Sequence, residues 1–146
     1  MQVRDGMTDV VVTVRPGHSL RDAARAMDAR KVGAAVVVDP EAPGPGILTE
    51  RDVLSSVAQG QDPDAERVGD HQSPTVVAAA PEWSLEEAAV AMIRGNFRHL
   101  VVLKDGDVCG VLAMRDIVRV WTGDGSICDV PASPAGLGVG APAPTR

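Results

Sequence analysis

Short β-branched runs alternate along this chain with stretches in which apolar residues return at helical spacing. Val10-Val11-Val12-Thr13-Val14 predicts a strand. After the break at Pro16-Gly17, Leu20, Ala23, Ala24 and Met27 stand at i, i+3, i+4 and i+7 behind Ser19, which predicts an amphipathic helix capped by that serine. Val36-Val37-Val38 and Gly46-Ile47-Leu48-Thr49 read as two further strands around a Pro-rich turn, Asp39 to Pro45, and Glu50 to Ala58 as a closing helix. Alanine at successive buried helix positions lets a helix lie close on a sheet, so the unit reads as a small sheet with two helices on one face.

The pattern then begins again. Pro16-Gly17-His18-Ser19-Leu20-Arg21-Asp22-Ala23-Ala24 lies on Pro81-Glu82-Trp83-Ser84-Leu85-Glu86-Glu87-Ala88-Ala89 at an offset of 65. Met27 falls on Met92 and Val36-Val37-Val38 on Val101-Val102-Leu103; after a one-residue deletion, Gly46 to Val53 falls on Gly110 to Ile117. In the second copy Ser84 and Glu87 form a stronger capping box, Leu85, Ala88, Ala89 and Met92 make the buried stripe, and Gly95 is the expected C-cap. Arg98 to Leu103, a Lys104-Asp105-Gly106-Asp107 turn and Val108 to Leu112 predict a hairpin, and Met114 to Trp121 a last helix.

The chain therefore reads as a duplicated strand-helix-strand-strand-helix unit: first copy 3–59, linker 60–67, second copy 68–121, and a Gly/Ala/Pro-rich tail 122–146 whose composition favours disorder. A unit below about 60 residues buries too little surface to be comfortable alone. The two copies are thus expected to pack sheet against sheet into one α+β domain.

Composition narrows the chemistry. With 23% charged residues and a formal charge of -6 over 146 residues, the chain lacks the basic surplus that a nucleic-acid groove or an anionic membrane surface requires. No apolar run approaches the roughly 20 residues of a membrane helix, and Met1-Gln2-Val3-Arg4-Asp5 has no secretory apolar region, so a cytoplasmic protein is expected. Aromatics at 2% offer no stacking platform for single-stranded nucleic acid. Cys109 and Cys128 are too few for a disulfide framework, and no CxxC or His/Cys cluster points to zinc. No Ser/His/Asp set, metal-ligand spacing, Walker loop or paired carboxylates occur, so an enzyme ranks last.

The duplicated order, with Gly46-Ile47-Leu48-Thr49-Glu50-Arg51-Asp52 and Gly110-Val111-Leu112-Ala113-Met114-Arg115-Asp116, resembles the cystathionine-β-synthase (CBS) domain pair, or Bateman module, over residues 3 to 121. The stand-alone length and the Gly60-Gln61-Asp62-Pro63 linker resemble bacterial two-repeat stress proteins of the hypoxic response protein type. The cysteine arrangement of that type is not obviously repeated, and no redox chemistry is carried over. The resemblance implies tandem CBS repeats forming a non-enzymatic regulatory module. It implies an adenine nucleotide (AMP, ADP or ATP) in clefts between the repeats, no required cofactor, and a homodimer.

The residues agree with that for the first copy. Thr49 stands where a strand becomes a helix, and Asp52 lies one turn on, on the same side. A carboxylate accepts from two neighbouring hydroxyls, the pair of donors that a ribose offers, and a helix N-terminus favours an anion. Asp52 is assigned to the ribose, Thr49 to ribose or α-phosphate, and Ile47 and Val10 to apolar walls for the base. Arg98 and His99, where similar CBS proteins carry basic residues, are assigned to the phosphates. A second, weaker site on Asp116, Arg115 and Val111 lacks the hydroxyl, because Ala113 replaces Thr49, and lacks the cations, because Gly33-Ala34 stand where Arg98-His99 do. Arg51 and Arg115 either add charge or face solvent.

Plainer roles stand beside these. Thr-x-x-Asp is an ordinary helix cap, a role compatible with ligand binding. Arg98 and His99 can simply decorate a strand edge. Met7, Met27 and Met92 read as core filler, Cys109 as buried and inert, Cys128 as exposed, and His18 and His71 as solvated loop residues. Trp83 and Trp121 read as packing or dimer contacts. The competing function is a ligand-free dimerisation scaffold, and the protein effector of either is unknown from sequence.

Overall fold

A computed structural model describes residues 1–75 and 77–123. The expected order of elements holds in both halves, with an addition at the front. The first half runs α1 (Val3–Gly6), β1 (Thr13–Val14), α2 (Leu20–Arg30), β2 (Ala34–Val37), β3 (Gly46–Thr49) and α3 (Glu50–Ala58). The second runs from a 3-10 turn at Val68–Asp70 through β4 (Ser73–Pro74), β5 (Ala78–Ala79), α4 (Leu85–Gly95), β6 (His99–Lys104), β7 (Asp107–Ala113) and α5 (Met114–Gly123).

Local chemistry sets the element ends. Ser19 accepts from the Asp22 amide at 3.1 Å, and Ser84 from the Glu87 amide at 3.0 Å while Glu87 reaches back to Ser84, so both helix starts form as the pattern predicts. The helix stop differs from expectation. Gly95 remains helical and Asn96 takes the left-handed position at φ 56°, matched in the first repeat by Lys31 at φ 56°. Asp105-Gly106 makes the two-residue hairpin turn, both residues at positive φ. The predicted strand at residues 10–14 shortens to Thr13–Val14, because only the stretch from Val12 onward bonds to β2 (Val36 N to Val12 O, 2.9 Å).

One sheet has the order β1-β2-β3-β4 and the other β5-β6-β7. In each, the first strand is parallel to the second and the hairpin that follows is antiparallel. Two apolar clusters form, one per sheet. Leu20, Ala23, Met27, Ala35, Val37 and Leu48 join Val14 and Val68 in the first; Leu85, Ala88, Met92, Leu100, Val102, Leu112 and Ile117 join Val3 and Ala79 in the second.

Val3 and Val68 have changed places. Val3, from the start of the first copy, is buried in the second cluster, and Val68, from the start of the second copy, is buried in the first. The exchange is symmetric, since the two valines stand 65 positions apart in the sequence. Gln2 bridges to Ser84 and Thr8 to Val111, while Arg67 bridges to Ser19 and Ser73 pairs with Ile47. The glycine that opens each family-like motif permits the crossing. A Cβ on Gly110 would lie 2.9 Å from the Thr8 carbonyl oxygen, and one on Gly46 would lie 3.2 Å from that of Ser73.

Val36 and Val101 are also buried but belong to neither cluster. Side chains alternate along a strand, so both valines point away from the helices, toward the opposite repeat. The sheets pack through these faces, and a cleft opens along the seam.

Candidate functional site

The seam cleft at Asp116 is lined by residues of both repeats: Thr8, Val10 to Val12, Val32, Gly33 and Ala34 from the first, and His99, Val111, Ala113, Arg115 and Asp116 from the second. Its volume is about 40 Å³. A larger cavity of about 250 Å³ lies under the Asp39–Pro45 turn and includes neither aspartate.

Asp116 is the N3 residue of α5, and its carboxylate is committed on both oxygens. Oδ2 accepts from the Ala113 amide at 2.8 Å, and Oδ1 accepts from Arg119 Nη2 at 3.1 Å. Arg119 also donates to the Gly6 carbonyl at 3.2 Å, and Arg115 donates to the Lys31 carbonyl at 3.3 Å, tying second-repeat groups to the first copy's segments. Asp52 is the matching residue of α3. Its Oδ2 accepts from the Thr49 amide at 2.8 Å and from the Thr49 hydroxyl at 3.3 Å, while its Oδ1 has no partner among the described residues. The cap expected of Thr-x-x-Asp is therefore formed, and it leaves one carboxylate oxygen for something else.

Two of the residues assigned to the Asp52 site, Val10 and His99, line the cleft of Asp116. Val10 lies there because it follows closely on Thr8, which the exchanged segment bridges to Val111 of the second repeat. The residue 65 positions on, Thr75, lines the cavity under the Asp39–Pro45 turn, and its hydroxyl is shielded from solvent without a hydrogen-bond partner among the described residues. His99 also lines the Asp116 cleft. Burial lowers its pKa below the ordinary histidine value; Glu50 and Asp116 act to raise it, and Arg98 and Arg115 to lower it. Glu50 is the first residue of the helix that carries Asp52, so the imidazole lies within electrostatic reach of both helix starts. Arg98 is exposed, with no side-chain partner among the described residues. Ile47 pairs with Val36 in β3 and is partly buried, Val111 and Arg115 line the Asp116 cleft, and Arg51 is exposed.

Among the plainer roles, Met27 and Met92 are core and Met7 packs against the second cluster. Trp83 and Trp121 pack there as well. Cys109 is a partly buried free thiol packed against the second cluster rather than a fully buried one, and Cys128 lies outside the described residues, as does the tail from residue 124. His71 is not a solvated loop residue: its Nε2 lies 2.7 Å from Glu66 and the side chain is mostly covered. His18 is exposed, and its Nδ1 accepts from the Arg15 amide at 3.0 Å. Among the described residues no group of three or more His, Cys, Asp or Glu is placed to hold a metal, and no helix is long and apolar enough to cross a membrane.

A family model for the CBS domain matches residues 2–59 and 68–123, so this chain belongs to the CBS-domain family and carries the domain as a pair. The CBS domain-containing protein YhcV of Bacillus subtilis is 34% identical over 116 residues, covering 79% of this chain and 81% of YhcV. Two solved structures share the architecture. The CBS domain protein PAE2072 from Pyrobaculum aerophilum, complexed with AMP, is 26% identical with a TM-score of 0.72, covering 84% of this chain and 99% of that one. The hexameric CBS-CP12 protein from bloom-forming cyanobacteria is 28% identical with a TM-score of 0.76, covering 81% of this chain and 66% of that longer one. CBS pairs of this kind are generally regulatory rather than catalytic.

Proposed function

We propose that this protein is a non-enzymatic, cytoplasmic regulatory module that takes an adenosine-type nucleotide (AMP, ADP or ATP) at Asp52 and signals by changing shape. The observation that carries the reading is the Asp52 carboxylate: one oxygen is fixed by the Thr49 cap, which orients the group, and the other has no partner among the described residues. An oriented, half-used carboxylate suits the two hydroxyls of a ribose. Pseudo-symmetry supports the rest of the site. Arg98 and His99 stand 65 positions after Gly33 and Ala34, which line the Asp116 cleft, so the same relation would turn them toward Asp52; His99, which lines the Asp116 cleft, is within electrostatic reach of Glu50 at the start of the Asp52 helix. His99 is neutral at pH 7 because its pKa is lowered, so it would serve as a hydrogen-bond partner and Arg98 as the cation. The AMP complex of the Pyrobaculum relative supports an adenine nucleotide.

A ligand shifts shape only by binding one state better than another, and an unidentified protein effector would read the difference. Calorimetric titration of nucleotide-free protein with AMP, ADP and ATP is expected to give binding with at least one. Asp52→Ala is expected to weaken it about tenfold or more, since hydrogen bonds to a charged group contribute about 1.5–3 kcal/mol each. Absence of heat with all three nucleotides removes this reading. The second reading, an oligomerisation scaffold, is favoured by exposed Leu54, Val57 and Val118 on α3 and α5 and by the hexameric cyanobacterial relative. It predicts a homodimer or larger assembly that Asp52→Ala leaves intact.

A further inference from the structure

We propose that Arg119 occupies the Asp116 carboxylate and so withholds it from nucleotide, adding to the missing hydroxyl and cations that already set this aspartate apart from Asp52. The inference rests on reading Asp52 as the nucleotide site, and it concerns why the second aspartate is not another. The two carboxylates share the same N3 position and the same backbone hydrogen bond, 2.8 Å from the Thr49 amide in one case and 2.8 Å from the Ala113 amide in the other. They differ in what meets the remaining oxygen. At Asp116 the guanidinium of Arg119, one turn along α5, meets Oδ1 at 3.1 Å; at Asp52 the residue in Arg119's place is Ser55, and Oδ1 has no partner among the described residues.

Two further contacts and the size of the cleft act in the same direction. Arg119 is held in place by its second bond, to the Gly6 carbonyl, so the guanidinium is anchored between α1 and the carboxylate. Arg115 links the cleft's two walls through the Lys31 carbonyl. The cleft itself, about 40 Å³, accommodates a few waters and not a nucleoside. A diol would have to displace a charge-assisted hydrogen bond that is already made. The pair is an i, i+3 contact whose arginine is 61% exposed, so it contributes little to stability and its removal leaves the fold standing.

The test is AMP stoichiometry by calorimetry in the full-length protein. The wild type is expected to bind one AMP per chain, Arg119→Ser two, and the double variant Asp52→Ala/Arg119→Ser one, the last abolished by adding Asp116→Ala. Arg119→Gln, which keeps a donor for the Gly6 carbonyl but no charge, serves as the second variant if Arg119→Ser loosens α1, with far-UV circular dichroism confirming the fold. Two sites in the wild type, or no added site in either folded variant, overturns the inference. A wild type that binds none of AMP, ADP and ATP removes the Asp52 reading instead. In that event, one Asp116-dependent site gained by Arg119→Ser still supports the role of Arg119, and none gained overturns it.

Discussion

Burial keeps the His99 imidazole below its ordinary pKa, with Glu50 and Asp116 acting against that shift and Arg98 and Arg115 adding to it. The sign of the linkage follows. As pH falls below about 6.5 the unfolded chain takes up a proton that the folded chain resists, so the unfolded state binds more protons and stability drops. The contribution is present above the unfolded value and is lost as pH falls from there toward the lowered folded value. Urea unfolding midpoints measured from pH 7.5 to 5.0 are expected to decline more steeply for the wild type than for His99→Gln; parallel curves would show that the imidazole is not held neutral. The residue types at Thr49, Asp52 and Asp116 were legible from spacing alone, because a cap is a local device. The commitment of Asp116 to Arg119 is equally local but carries no signal in the sequence, since an i, i+3 ion pair on a helix is common.

At the scale of elements, the two α-helices that start at Ser19 and Ser84 end on left-handed residues of different kinds, Lys31 and Asn96, both at φ 56°. A left-handed conformation costs an ordinary L-residue about 1–2 kcal/mol, and asparagine tolerates it better. Lys31→Gly is therefore expected to raise stability by about 1 kcal/mol, after the added chain entropy of glycine, and Asn96→Gly by distinctly less. Loss of the exposed Lys31–Asp28 contact at 3.7 Å matters little to this comparison. Thermal or urea unfolding of the two variants side by side checks the ranking, and equal gains would contradict it. Gly95 drew attention as the helix stop because glycine is the commonest left-handed residue. The chain instead continues one residue further, and no local signal separates a terminal helical glycine from a cap.

For the whole molecule, the decisive feature is that each repeat lends its first few residues to the other. Val3 is buried among Leu85, Leu100 and Leu112 although it begins the opposite copy. Val3→Ala removes two carbons from that core and is expected to cost about 2 kcal/mol. A loss under about 0.5 kcal/mol in urea unfolding, the range of an ordinary surface substitution, would mean that the segment is not docked. Repetition, the order of the elements, the apolar stripes and the caps all follow from the sequence by itself, because each depends on residues close together in the chain. The crossing of residues 2–8 and 67–74, and with it the placement of Val10 on the Asp116 cleft, was decided only in three dimensions. Two copies with similar patterns offer such a segment two equivalent places to dock, and no residue near it in the chain separates a segment that stays from one that crosses.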